Sequence, residues 1–560
     1  MLDFNEPPLK AVIEILLRDM NTGGNILFHG KELTKKLLPT IKPRALKDDA
    51  EKLLRTRTNA EVFTPSHVVK FMVDALDDGQ IDSTWLEIAC GEAPFITNRY
   101  DAETGLNVSI DERAGILDRK LSYTKTFDEA KRAVQSVYGY ELQGDSLLIA
   151  RANVLLTVAD SLDDFNDSDL AELAEIIAWN FFQLDGTKDN GLFAPEIRDW
   201  QDGGRKFTFG GNTMKFDFII SNPPYQEDNG IDKSRKASVY DKFMEAAYKV
   251  GVKVELITPA RFLFDAGGTP KEFNQRMLSD PHLKVIDYKF DAREYFKGVD
   301  IEGGVAITLR DETKTFGAIG AFIPFEQLKT IHQKVVVDNP NFRPLSEIIY
   351  TPIVYKFSEK FFRERPELVR KLQKSNDNSL RSNIFERLTE IFFNNKPNDG
   401  NEYIQIYGRQ DNARVCKWFR SDYVTHPEPF DKWKVLVPKS NGSGAIGKVI
   451  PTPLIGKPVI NSPFVGNTET YITVGAFDTR AEADACLTYI KSKFARAMLG
   501  ILKVTQDNTA ATWAKVPMQD FTPATSDIDW GGDVDGQLYR KYKLTAAEIK
   551  FIETHVKGMT

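Results

Sequence analysis

The sequence predicts an α/β protein, with a Rossmann-like, doubly wound sheet of seven strands followed by an α+β domain. Two observations lead there. Between Val62 and Arg310, short apolar segments rich in β-formers alternate with stretches at helical spacing. After Arg310 that alternation stops, and short strands mix with helices and turns rich in Gly, Pro and Asn. A chain of 560 residues also exceeds what one hydrophobic core supports, so more than one domain is expected.

In order, the candidate strands of the first part are TWLEIA, SVYGYEL, NFFQLD, FDFIIS, KVELIT, KVIDYKF and GGVAITL. Helical patterns such as SHVVKFMVDALDD and SVYDKFMEAAYKV lie between them. Ahead of the sheet, KAVIEILLRDM and AEKLLRTR read as a helical extension over residues 1–58. The sheet domain is expected over 59–312. A second domain spans 313–560, with strands YIQIYG, WKVLVPK and TYITVG, turns such as KSNGSGAIGK, and a final helix AAEIKFIETHV.

Composition narrows the function classes. Apolar residues at 42% and charged residues at 27% describe a folded globular chain. No apolar run reaches bilayer length, and MLDFNEPPLK lacks the basic and apolar regions of a secretory signal. A cytoplasmic protein with no membrane contact is expected. Three widely spaced cysteines (Cys90, Cys416, Cys486) build no disulfide framework, and six scattered histidines have no metal-ligand spacing. No metal is expected. The net charge of −7 excludes a histone-like polycation, yet residues 351–420 hold 14 Lys/Arg against 9 Asp/Glu, enough for a local basic face.

The sharpest chemical signal is Ser221-Asn222-Pro223-Pro224-Tyr225, directly after the apolar strand Phe216–Ile220. Ligands of open α/β sheets bind at the carboxyl ends of the strands. The two prolines remove backbone donors and fix φ. The Asn222 carboxamide oxygen and the Pro223 carbonyl can accept the two hydrogens of an exocyclic amine, and Tyr225 can stack on the ring that carries it. A second signal is the glycine turn Glu87-Ile88-Ala89-Cys90-Gly91-Glu92-Ala93-Pro94, which allows close approach of a nucleoside to backbone. Glu141 ends the next strand and suits a grip on ribose hydroxyls. Asp185 ends the one after and can accept from an amino group. Val62-Phe63-Thr64-Pro65 precedes a helix that Thr64 or Ser66 can cap.

Together and in this order, these segments resemble the amino-methylating DNA methyltransferases that use S-adenosylmethionine, in their γ order. A-E-V-F-T-P, L-E-I-A-C-G-E-A-P, N-R-Y-D, Y-G-Y-E-L-Q-G-D, W-N-F-F-Q-L-D-G and L-Y-R-K-Y further resemble type II restriction-modification adenine methylases. In that subgroup C-G-E-A-P replaces the commoner C-G-x-G. Two departures stand: Glu87 where Asp is usual, and a long gap of 51 residues from Cys90 to Glu141. The resemblance implies an S-adenosylmethionine-dependent methyltransferase sheet with a C-terminal target-recognition domain.

Residue by residue, it implies that Thr64 and Pro65 contact the amino-acid end of the cofactor, and that Glu87 and the Ala89-Cys90-Gly91 turn wrap its methionine part. Glu141 would hold the ribose and Asp185 the adenine. Asn222, Pro223, Pro224 and Tyr225 would hold the target base. A second aromatic, Phe296 with Tyr295 as the fallback, would close its other face, and Val62 would stack against it too. The implied partners are double-stranded DNA and a cognate restriction endonuclease or defence-system subunits. The insertion 97–135 either covers the cofactor site or supports it. Three other readings stay open: methylation of cytosine N4, methylation of RNA or protein glutamine through the same N-P-P-Y site, and a non-catalytic DNA-binding specificity subunit.

Overall fold

Strands buried on both faces need no polar alternation, and the inner strands of the central sheet are mostly apolar, whereas its edge segment LKVIDYK is half-buried and mixed. In the computed structural model the described residues are 2–559 apart from 60–61, 77–78, 163–165, 188–194, 210–214, 228–236, 267, 373–377, 442–445, 447–450 and 452. All seven expected strands are present: β1 Trp85–Glu87, β2 Val137–Glu141, β3 Phe181–Gln183, β4 Phe216–Ser221, β5 Gly251–Pro259, β6 Leu283–Lys289 and β7 Val305–Asp311. Their order in the sheet is β6-β7-β5-β4-β1-β2-β3. Strands β5, β4, β1, β2 and β3 are parallel, and β7 runs antiparallel to both its neighbours. The order reverses between β1 and β4, which is the switch point where such sheets open a crevice.

Helices cover the sheet with apolar stripes. Helix α1 (Leu9–Leu17) buries Leu9, Val12, Ile13, Leu16 and Leu17, and helix α3 (Ser66–Leu76) buries Val68, Val69, Met72, Val73 and Leu76. Helix α6 (Gly144–Ser161) is buried almost all round. Its Arg151 is fully buried and donates to the carbonyls of Leu16, Arg18, Ala178 and Phe181 at 2.6–3.1 Å. One guanidinium thereby satisfies the open carbonyl ends of α1 and of helix α7 (Asp167–Asn180).

Residues 1–58 are helical only in part, and they are not a separate extension. Besides α1 and α2 (Asp49–Asn59) they form a short hairpin, Leu27–Phe28 with Lys31–Glu32, and single turns. Their apolar side chains enter the same core as the sheet. An ion cluster ties them down: Asp145, 1% exposed, meets Arg55 at 2.7 Å and Lys47 at 3.0 Å. The insertion 97–135 is likewise a support. Within it, α4 (Ile116–Leu121) and α5 (Phe127–Gln135) pack beside the sheet, and buried Lys120 donates to Ile81 O, Ser83 O and Ser136 Oγ at 2.6–2.9 Å.

The chain divides into two compact units, Met1–Gly320 and Ala321–Thr560. The first extends past the expected 312 because the tail after β7 folds back on it. Phe316 N donates to Pro281 O at 2.7 Å and Gly320 N to Leu278 O at 2.9 Å.

The second unit holds two sheets. In one, β8 (Ile349–Tyr350), β14 (Tyr471–Phe477), β11 (Trp433–Pro438) and β12 (Val459–Asn461) pair antiparallel over a helical core. In the other, β10 (Ala413–Arg420), β9 (Tyr403–Gln410) and β13 (Val465–Asn467) lie over a cluster of phenylalanines including Phe357, Phe385 and Phe419. The final helix spans Ala546–His555. Most of the KSNGSGAIGK turn lies outside the described residues. Among the described residues no helix is long and apolar enough to cross a membrane.

The Asp145 cluster yields a test. Burial opposes the charge of Asp145, but the hydrogen bonds and charges of Arg55 and Lys47 win and hold its carboxyl below the usual range. Its stabilisation is therefore present above the ordinary aspartate pKa and is lost as pH falls through the lowered one. Asp145→Ala removes the buried carboxylate shared by two buried cations, leaving Lys47 with Glu51 at 3.2 Å and Arg55 with Ser146 at 3.3 Å, and should cost about 3 kcal/mol in urea denaturation at pH 7. The gap from wild type should shrink below about pH 4.

Candidate active site

Parallel pairing in register brings four strand ends into one row. Glu87 of β1 lies beside Gly139 of β2 and Ile220 of β4, and Glu141 of β2 lies beside Gln183 of β3. The loops that leave these ends line a single cavity. Its wall includes Val62, Phe63, Thr64, Glu87, Ala89, Cys90, Gly91, Glu141, Asp185, Asn222 and Pro224. Residues far apart in the chain thus share one crevice, and ten of those named are ones the sequence reading expects there. Phe63 is an addition, as are other wall residues such as Phe95, Tyr140 and Gln143.

The turn after β1 is built on left-handed backbone, with φ of 48° at Ala89, 55° at Gly91 and 59° at Ala93. Glu141 closes it from the next strand: one carboxylate oxygen accepts from Gly91 N at 2.9 Å and the other from Gln143 N at 2.8 Å. Glu141 also lines the cavity. A side chain at Gly91 would put its Cβ 3.3 Å from the Phe63 ring, so glycine is what lets Phe63 lie against the turn. Burial pushes the Glu87 carboxyl well above the usual range, while Ile96 N donates to it at 3.2 Å. Burial likewise raises the Cys90 thiol, which keeps it protonated and unreactive at neutral pH.

Glu92, in the position of the commoner glycine motif's neighbour, is a brace. It is 3% exposed and accepts from Arg44 N at 2.7 Å and from the Tyr100 hydroxyl at 2.6 Å. The N-R-Y-D segment is a brace too. Asn98 donates to Ser66 Oγ at 3.2 Å, and Asp101 accepts from Ser66 N at 3.0 Å at the start of α3. These supports were not assigned from sequence, although the motifs that contain them were the signal.

The amide of Asn222 is oriented by the V-F-T-P segment. Its nitrogen donates to Val62 O at 2.9 Å and to Thr64 Oγ1 at 3.3 Å, which leaves Oδ1 as acceptor. The Tyr225 hydroxyl donates to that oxygen at 2.7 Å. Burial raises the Tyr225 phenol above its ordinary range, so it remains a donor. Its ring is 9% exposed and is absent from the cavity wall, which differs from the expectation of a free stacking face. The hydrogen bond to Asn222 explains the difference, because it folds the ring inward. Pro65 and Pro223 are buried behind the wall. Phe296, 2% exposed, sits in the apolar core with Val68, Val69 and Tyr295, and it does not line the cavity. Asp185 accepts from Thr187 N at 3.1 Å and Thr187 Oγ1 at 2.6 Å, which points its carboxylate along the wall. Among the described residues there is no group of three or more metal-ligating side chains.

Comparison with known proteins bears on this row of motifs. The profile of the Eco57I restriction-modification methylase family matches residues 135–296, a window holding Glu141, Asp185 and Asn222 to Tyr225. An uncharacterized adenine-specific methylase of Mycoplasma pneumoniae is 31% identical over 353 residues, 53% of this chain and 77% of that protein. The chain belongs to the Eco57I restriction-modification methylase family. Two solved structures are also similar to this methylase. A modification subunit of a putative type I restriction enzyme from Vibrio vulnificus is 17% identical, with 48% of each chain covered and a TM-score of 0.27. The DrdV–DNA complex is 13% identical over 85% of this chain and 59% of that one, with a TM-score of 0.39. This methylase therefore spans about half to three fifths of the length of these two proteins.

Gly91 gives the site its own test. Gly91→Ala adds strain at positive φ, about 1 kcal/mol, and crowds the Phe63 ring, which must shift slightly to admit the new Cβ. A fall in stability of about 1–2 kcal/mol by urea titration is expected.

Proposed function

We propose that this methylase transfers a methyl group from S-adenosylmethionine to N6 of an adenine flipped out of duplex DNA, as the modification component of a restriction-modification or defence system. One observation carries the reading. Asn222 presents an oriented acceptor oxygen on the same cavity wall as Glu141 and Asp185. The cavity fits the cofactor by chemistry: carboxylates for ribose hydroxyls and an adenine amino group, and a glycine turn for close backbone approach.

S-adenosylmethionine, when bound, supplies an electrophilic methyl group. Glu141 accepts from the ribose and Asp185 from the adenine amino group. The turn Ala89–Gly91, backed by Glu87, lies against the methionine part, with Thr64 and Pro65 at its amino-acid end. Asn222 Oδ1 and the Pro223 carbonyl accept both hydrogens of the target amine. That geometry draws the nitrogen lone pair out of the ring and aims it at the methyl group, which is positioning plus preorganised electrostatics.

Base entry requires the Tyr225 ring to turn outward and stack. Releasing its hydrogen bond to Asn222 costs about 0.5–1.5 kcal/mol, and stacking returns about 1–3 kcal/mol, so the exchange favours the bound base. Val62, on the wall, and Pro224 offer the nearest apolar contacts to that base. Phe296 reaches it only by leaving the core. Adenine is favoured over cytosine because the M. pneumoniae relative bears an adenine-specific name. Residues 321–560, which include the basic stretch 351–420, are the proposed target-recognition part, and a restriction nuclease or defence subunits the proposed partners.

Asn222→Ala should lower methyl transfer at least about a hundredfold with duplex affinity nearly kept, read by sequencing that detects N6-methyladenine and by duplex titration. Tyr225→Phe should keep transfer, since the ring remains. Tyr225→Ala should weaken base capture by about 1–3 kcal/mol, seen as a smaller 2-aminopurine signal at the target position. Glu141→Ala should weaken S-adenosylmethionine binding in calorimetry. Full methylation by Asn222→Ala would defeat the reading, and marks on cytosine alone would move it to N4.

A further inference from the structure

Strands β9 and β10 form a hairpin through the two-residue turn Asp411-Asn412, whose φ values of 48° and 66° suit the twist of paired strands. Alternation divides its residues between two faces. Ile404, Ile406 and Phe419 point into the phenylalanine core. The other face carries four directly opposed pairs: Tyr403 with Arg420 at the end away from the turn, then Gln405 with Trp418, Tyr407 with Cys416, and Arg409 with Arg414. The last three pairs are the ones nearest the turn. All six of their side chains are partly or fully exposed, and none is acidic.

The arginine pair is the anomaly. Like charges directly opposite on a ladder repel, and both arginines are exposed. Among the described residues neither meets a carboxylate. Arg409 donates to Asn412 Oδ1 on the turn, and Arg414 to Lys457 O at 2.9 Å. Other arginines of this sheet are paired: Arg420, on the same strand, meets Glu364 and Asp422. The charge of Arg409 and Arg414 is thus offset by no carboxylate among the described residues, which suits this face to an anionic partner. The neighbouring groups add planar and polar contacts. Tyr407 lies 5.2 Å from the Tyr471 ring, and the Lys396 ammonium sits 5.7 Å from the Trp418 ring. β10 is the last strand of its sheet, and its outer edge is bridged at Trp418 by Phe393.

We infer that the β9–β10 ribbon is the surface by which the second unit docks on duplex DNA. The major groove admits a two-stranded ribbon. Arg409 and Arg414 then take phosphates flanking the groove, while Gln405 reaches base edges. The inference rests on the reading of this chain as a DNA methylase and names the element that reads its target.

Cys416 supplies a native probe, because Cys90 and Cys486 are buried and Cys416 is exposed on this face. The full-length protein is alkylated with N-ethylmaleimide with and without saturating target duplex, the target being the motif found by methylation sequencing. Alkylation of Cys416 should slow at least about tenfold in the complex, by mass spectrometry. The double variant Arg409→Gln, Arg414→Gln should bind duplex more weakly and lower the slope of log K against log salt by about two, one phosphate per arginine. Its denaturation midpoint should stay or rise, since a repulsive pair is gone, and its S-adenosylmethionine affinity should be unchanged.

Unchanged alkylation of Cys416 in a saturated complex overturns the assignment, as does a variant with wild-type affinity and salt slope. Protection by duplex RNA but not DNA overturns it as well. Wild-type protein that binds no duplex at all would instead overturn the DNA-methylase reading beneath it.

Discussion

In-register parallel pairing of β4, β1, β2 and β3 is the constraint on which the site depends. Parallel strands end on the same edge, so each loop at that edge starts from a fixed neighbour. Glu141 reaches Gly91 N across one strand spacing, and Ser221 Oγ reaches Ile88 O across another. These short crossings lock the turn after β1. The cavity is therefore shaped by backbone pairing together with side-chain bonds between neighbouring strand ends.

Around that edge, buried charges act as fasteners. Asp145 holds Arg55 and Lys47, Glu92 holds Arg44 N and Tyr100, and Arg151 gathers four carbonyls. Each lies where apolar contact alone would leave polar backbone or cations unpaired, and such groups are costly to strand in a core. This accounts for motif residues that touch no cavity. The Glu of C-G-E-A-P, the acid of N-R-Y-D and the final acid of Y-G-Y-E-L-Q-G-D all bind the N-terminal segment, α3 or α2 to the sheet. They keep the wall in position from behind.

The Asn222–Tyr225 bond answers a local polar requirement. A lone amide oxygen facing an apolar wall would be unsatisfied, and the Tyr225 hydroxyl satisfies it. In the proposed reaction a base amine would take that acceptor over. The same logic, an unmet polar requirement awaiting a partner, reappears on the second unit. There Arg409 and Arg414 face each other and, among the described residues, meet no acid.

By itself the sequence determined the strands, the strand-end chemistry and the family. Apolar runs such as FDFIIS are buried whatever their neighbours, and N-P-P-Y can follow a strand in few useful ways. Glu141, Asp185 and Asn222 were legible because a strand's carboxyl end is a local feature. The role of residues 1–58 was not legible, since its anchor Asp145 lies 90 positions from Arg55. Nor were the inward turn of Tyr225, the core position of Phe296 and the bracing by Glu92. Local spacing says which atoms can form hydrogen bonds; only the packed chain decides which of them meet, because each buried donor and acceptor must find a partner among groups distant in sequence.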